Sequence, residues 1–106
     1  MSEDIKQQAK LAWDRKLSYL NLQERFRDDL TFAHSGGAWR ADKETIAFLT
    51  AFADVEQITL EDIYGVPRLV DPRELLKLCK EKYQYAANAW LVEYAKLARV
   101  RRAKDV

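Results

Sequence analysis

Cys79 and His34 are the only side chains here whose types suit thiol–imidazole chemistry, because the 106-residue sequence holds one cysteine and one histidine. A nucleophilic cysteine works as its thiolate, usually with an adjacent base. Cys79 falls instead on an apolar helical stripe, flanked by Leu76 and Tyr83. There a free cysteine behaves as a small hydrophobe, and core packing is the expectation. A zinc site built on this pair would need carboxylates to complete it, and no ligand-like spacing supplies them. The adjacent acids Asp28–Asp29 and Glu61–Asp62 offer no paired acid and base. Neighbours on a helix point in different directions, so Asp28 and Asp29 read as a solvated face beside Arg25 and Arg27. Asp62 reads as a turn residue with a structural role.

The stretch "FAHSGGAWRAD", Phe32 to Asp42, concentrates two of the three glycines, the histidine and a tryptophan. An anion site or a glycine-lined pocket is the reading that would make it functional. A phosphate loop needs a strand before it, a helix directly after it, and a lysine or serine at a fixed offset. Those are missing, and the expectation is a helix stop. Gly36 or Gly37 would take the left-handed C′ position, with His34 in the last turn of the preceding helix. Trp39 would pack on the core or open a short extended segment.

The C-terminal "ARVRRAKDV" sets Arg99, Arg101, Arg102 and Lys104 against one Asp105. Such a cluster can contact nucleic-acid phosphates or an acidic partner. Cations at a helix C-terminus are also favoured by the dipole and aid solubility. Four basic residues make a small footprint, so the second account is preferred. The net charge of +1 adds no global drive toward nucleic acid or an anionic membrane. Of the aromatic residues, Trp13, Phe26, Tyr83 and Trp90 fit helix stripes and are expected in the core. Tyr64 and Tyr85 are the candidates for an exposed contact surface.

These residues must be positioned by a small set of elements. Glu3 to about Ala33 contains no glycine or proline, and apolar residues recur at spacings of three and four with one slip near Asn21. One long helix is expected, bent at Asn21 or replaced there by a second helix capped by "NLQE". "DKETIAFLTAF" reads as a short helix with Asp42 as N-cap and an apolar stripe of Ile46, Leu49 and Phe52 or Ala53. Gln57 to Val70 alternates and turns at "DIYG", which predicts a β-hairpin with Pro67 confined to an edge. "DPRELL" supplies an N-cap at Asp71, a proline at N1 and Glu74 at N3. The helix that follows carries Leu76, Cys79, Tyr83, Ala86, Trp90, Leu97 and Val100 on one stripe and runs to about Arg102.

The expected fold is therefore a single mainly α domain over residues 1–106, in the order α-α-β-β-α. Two long antiparallel helices would carry the short helix and the hairpin at one end. Tyr85, Leu91 and Val92 lie off the main stripe of the last helix, while Leu11, Trp13 and Leu17 widen that of the first. That surplus predicts self-association into a helical bundle, as a homodimer or larger. Hydrophobic residues make up 48% of the chain, an ordinary globular value. The lone cysteine suits a reducing compartment, and the polar N-terminus suggests no signal peptide. No stretch is apolar enough to span a membrane, so a cytoplasmic location is expected.

"WDRKLSYLNLQERFRDDLTFAHSGGAWRAD" together with "DIYGVPRLVDPRELL" resembles small uncharacterised proteins of contractile-tailed phages that infect marine cyanobacteria. The resemblance spans most of the chain and rests on structural punctuation, so it transfers no functional residue. It implies a phage or virion-accessory setting. The chain is expected to be a non-enzymatic interaction or assembly protein, without cofactor or metal. A nucleic-acid-associated regulatory protein using the basic helix end is the alternative.

Overall fold

The computed structural model describes the backbone of residues 2–105 and the side chains of residues 3–100. The first helix, α1, spans Ser2–Asp29 without interruption, so no second helix starts at Asn21. It ends four residues earlier than the apolar spacing suggests. Thr31–His34 form a strand, β1, and Gly37–Arg40 form its antiparallel partner, β2. Ser35 and Gly36 link them with φ of 51° and 76°. Two consecutive residues at positive φ make the tight hairpin turn whose twist matches that of the flanking strands. Gly36 is thus left-handed, but as a hairpin residue and not as a helix cap. Cross-strand pairing of Phe32 with Trp39 rewards the strand conformation. Gly37, Trp39 and Ala41 alternate inward from the same segment.

Gly36 and Ser35 make a testable pair. Asparagine is a far better residue than serine at the first position of this turn type. Ser35→Asn is expected to raise stability by up to about 1 kcal/mol, and Gly36→Ala to lower it by about 1 kcal/mol. Urea denaturation of the two variants checks this, and a shift of both midpoints in one direction would contradict the turn. Gly37 is constrained by space, because an added Cβ would lie 2.6 Å from Arg68 Cδ.

The short helix α2, Lys43–Ala51, starts as expected at Asp42, whose Oδ1 accepts from the Thr45 amide at 2.8 Å. The second hairpin joins β3, Ile58–Glu61, to β4, Pro67–Val70, with Ile58 opposite Val70 and Glu61 opposite Pro67. Pro67 opens its strand, where a missing donor costs least. Helix α3, Pro72–Asp105, begins at Asp71, whose Oδ1 accepts from the amides of Arg73 and Glu74. The element order is α-β-β-α-β-β-α. The chain is mainly helical with two long helices, as expected, but it has two hairpins and not one.

The long helices pack antiparallel. Tyr19 meets Tyr94 at 5.1 Å between ring centroids, and Phe26 stacks on Trp90 at 4.7 Å. Among the described residues every buried apolar side chain lies between Leu30 and Ala86: Leu30, Trp39, Ala41, Leu49, Val70, Pro72, Leu75, Cys79 and Ala86. The core is therefore a head in which α2 and the hairpins cover one end of the α1–α3 pair. The rest of that pair projects as a two-helix stem. The molecule measures 66 × 24 × 21 Å with a radius of gyration of 19.5 Å. A compact domain of this length has about 13 Å.

Candidate interaction surface

Cys79 and His34, the thiol–imidazole candidates, each take a place in the packing of the head. Cys79 is buried in the head, where burial, with the Asp42 charge adding to it, pushes its thiol up to about 11. A thiol that high provides almost no thiolate at neutral pH. His34 sits in β1 and not at a helix end, with Nε2 3.7 Å from Glu74 Oε1 at the rim of the head. Trp39 is 2% exposed and donates from Nε1 to the His34 carbonyl at 2.8 Å. The "FAHSGGAWRAD" segment is thus a structural hairpin that inserts a tryptophan into the core. Asp28 and Asp29 are both exposed, in line with a solvated face. Among the described residues no group of three or more His, Cys, Asp and Glu could hold a metal ion.

Among the described residues Asp62 is the one buried charge, and its sequence position points only to a turn. Its Oδ1 accepts from the amides of Tyr64 at 2.9 Å and Val66 at 3.0 Å. Its Oδ2 accepts from Arg68 Nε at 3.2 Å and from the Ala38 amide at 3.4 Å in the other hairpin. Burial alone would raise its pKa. The amides of Val66, Tyr64 and Ala38 and the Arg68 guanidinium outweigh that and hold the carboxyl below its ordinary value. The Ile63 amide donates to the Ala38 carbonyl at 3.0 Å, a second tie between the hairpins. An isolated two-stranded hairpin is marginal in water, and these ties make the two hairpins one unit.

The surface that structure leaves unfinished is the stem. Trp13, expected in the core, is 60% exposed, because α3 meets the side of α1 defined by Tyr19, Leu22 and Phe26. Phe26, Tyr83 and Trp90 do pack together in the helix interface. Leu11, Leu17, Tyr85, Leu91 and Val92, the residues off the main stripes, are all exposed. Tyr64, at the second hairpin turn, is exposed as well.

The two sides of the stem differ. On one, Ala12, Lys16 and Leu20 of α1 and Tyr94 of α3 line a groove of ≈ 510 Å³. Gln23 and Trp90 continue it into a second groove bounded by Asp42, Lys43 and Glu44 at the start of α2. This side is therefore the one that α2 covers in the head and that no described element covers along the stem. By helical spacing, Ala87, Leu91 and Ala98 share a face with Tyr94, and Trp13 shares one with Leu20. The opposite side is lined by Leu22, Arg25, Asp29, Ala89, Val92 and Glu93, a mixture of apolar and charged side chains.

Of the basic residues singled out at the C-terminal end, Arg99 is exposed. The side chains of Arg101, Arg102 and Lys104 lie outside the described residues. The register that sets Tyr19 against Tyr94 brings Arg15 and Lys16 to the level of Arg99. No described helix is long and apolar enough to cross a membrane. The chain matches no known family model, no curated protein and no solved structure.

Proposed function

We propose that this chain is a non-enzymatic helical interaction and assembly protein that works by self-association through its stem. The observation that carries the reading is surface area. The chain exposes 8177 Å², whereas a compact protein of 12.4 kDa is expected to expose ~6,100 Å². The ~2,000 Å² excess goes with the elongated shape, and the stem contributes exposed large apolar side chains to it, among them Trp13, Leu17, Leu20 and Leu91. A head with its own core and a stem without one divide the labour: the head fixes the two helices in register, and the stem presents their free faces. The resemblance to small proteins of contractile-tailed marine cyanobacterial phages supports an accessory or virion-assembly role in the host cytoplasm or the virion. Light scattering at micromolar concentration is expected to give twice the 12.4 kDa chain mass or more. A single-chain mass overturns the reading.

A nucleic-acid-associated regulatory role is the second reading. The observation that favours it is the level shared by Arg15, Lys16 and Arg99 near the free end of the stem. Binding to duplex DNA that weakens steeply with added salt would support it over the first.

A further inference from the structure

We infer that the uncovered groove side of the stem is occupied by a second copy of this chain running antiparallel, so that two stems form a four-helix bundle. This rests on the self-association reading above and adds the face, the number of copies and their direction.

Continuity of the layers comes first. In the head, the α1–α3 pair carries α2 as a third element on the groove side. Past Gln23 and Trp90 that layer stops, yet the apolar face continues through Leu20 and Tyr94. Leu91 on this face is 66% exposed. Ala87, Leu91, Tyr94 and Ala98 follow one another at spacings of four, three and four, the seam of a bundle helix. A two-helix layer with a second apolar seam has one architectural solution, another layer laid over it.

Area fits a second copy. The open face runs from about residue 3 to residue 22 of α1, roughly 30 Å, and two helices are about 20 Å wide. That is about 600 Å² in projection and more with side-chain relief, the order of the ~800 Å² per partner of a standard interface.

Charge sets the direction. The 18 basic and 17 acidic residues are divided unevenly. The two ends of the sequence, residues 1–20 and 91–106, carry nine basic and five acidic residues, and residues 21–90 carry nine basic and twelve acidic. A parallel pair would lay two basic stems together. An antiparallel pair lays each basic stem tip against the partner's head, which carries the acidic excess. Each α2 then caps one end of the bundle.

Two measurements on the full-length chain test this. Leu91→Glu and Val92→Glu alter neighbouring exposed residues on opposite sides of the stem, so neither disturbs the head core. Light scattering of the folded variants is expected to show Leu91→Glu as one chain and Val92→Glu as two. An unchanged two-chain mass for Leu91→Glu, or dissociation by Val92→Glu alone, overturns the face. For direction, Tyr64→Cys places a spin label on the head, while the buried Cys79 stays unlabelled. Pulsed electron paramagnetic resonance is expected to give a label separation comparable with the 66 Å length of one chain. A separation within twice the 24 Å width means a parallel pair and overturns the inference while self-association stands. A wild-type mass of one chain overturns both, and retention of a DNA duplex by that single chain would assign the stem to nucleic acid.

Discussion

Trp39→Ala is expected to lower stability by about 3–5 kcal/mol, the usual cost of emptying a fully buried tryptophan site. Trp39 is the largest of the fully buried side chains, and it packs in one cluster with Leu30, Ala41, Leu49, Val70, Leu75, Cys79 and Ala86. Those residues come from the end of α1 at Leu30, from α2 and α3 and from both hairpins, so the ring is a shared contact for the whole head. Collapse around the void is limited, because the hairpin that delivers Trp39 is tied down at Ala38 by Asp62 and Ile63. A domain of this size has only about 5–15 kcal/mol in total, so the variant stands near the edge of folding. Trp39→Phe keeps most of the volume but removes the donor to the His34 carbonyl. Its cost is expected to be the smaller, about 1–2 kcal/mol. Urea unfolding followed by circular dichroism measures both. Equal midpoints for Trp39→Ala and the wild type would show that the head core is not organised around this ring.

The same tryptophan shows where sequence patterning succeeds and where it stops. The caps at Asp42 and Asp71 and the hairpin around Gly65 are local devices, each complete within a few residues, and all three form as read. The end of α1 is different. Leu22, Phe26, Leu30 and Ala33 keep a helical spacing past the true boundary, because strand alternation and helical spacing coincide over so short a span. What decides it is the pairing of Phe32 with Trp39 around the Ser35–Gly36 turn, and serine is not the residue that usually marks such a turn. Cys79 is legible as core because its neighbours at three and four residues are apolar. The Asp62 hub is not, since one of its donors, Ala38, lies 24 residues away in another hairpin. Trp13 is the converse case. Amphipathic spacing identifies an apolar stripe but cannot say whether a given apolar residue meets its own chain or a partner. The surplus of apolar positions over available intrachain neighbours was legible, and the open stem is its counterpart in three dimensions.

Asp62→Asn is expected to be nearly as damaging as Asp62→Ala, although it preserves shape. Both carboxylate oxygens are engaged as acceptors: Oδ1 by the Tyr64 and Val66 amides, Oδ2 by the Ala38 amide and Arg68 Nε. Asparagine offers one oxygen and one NH₂ group, so whichever way it is turned, one pair of donors faces another donor. Buried donors left without an acceptor are costly, and Arg68 would keep its charge beside Gly37 with no counter-ion. A fall of the thermal midpoint on the order of 10 °C is expected for both variants. The acid limb gives a second readout. The carboxyl is held below its ordinary value in the folded state, so its contribution is present above the unfolded-state value of about 3.9 and is lost as pH falls through the folded value. Wild-type stability should therefore drop more steeply than that of Asp62→Asn as pH is lowered from 5 toward about 2. Parallel acid limbs for the two proteins would show that the hairpins are held together without this charge. Because the hairpins and α2 together fix how α1 meets α3, loosening them should also loosen the register that places Leu20 and Tyr94 on one face of the stem.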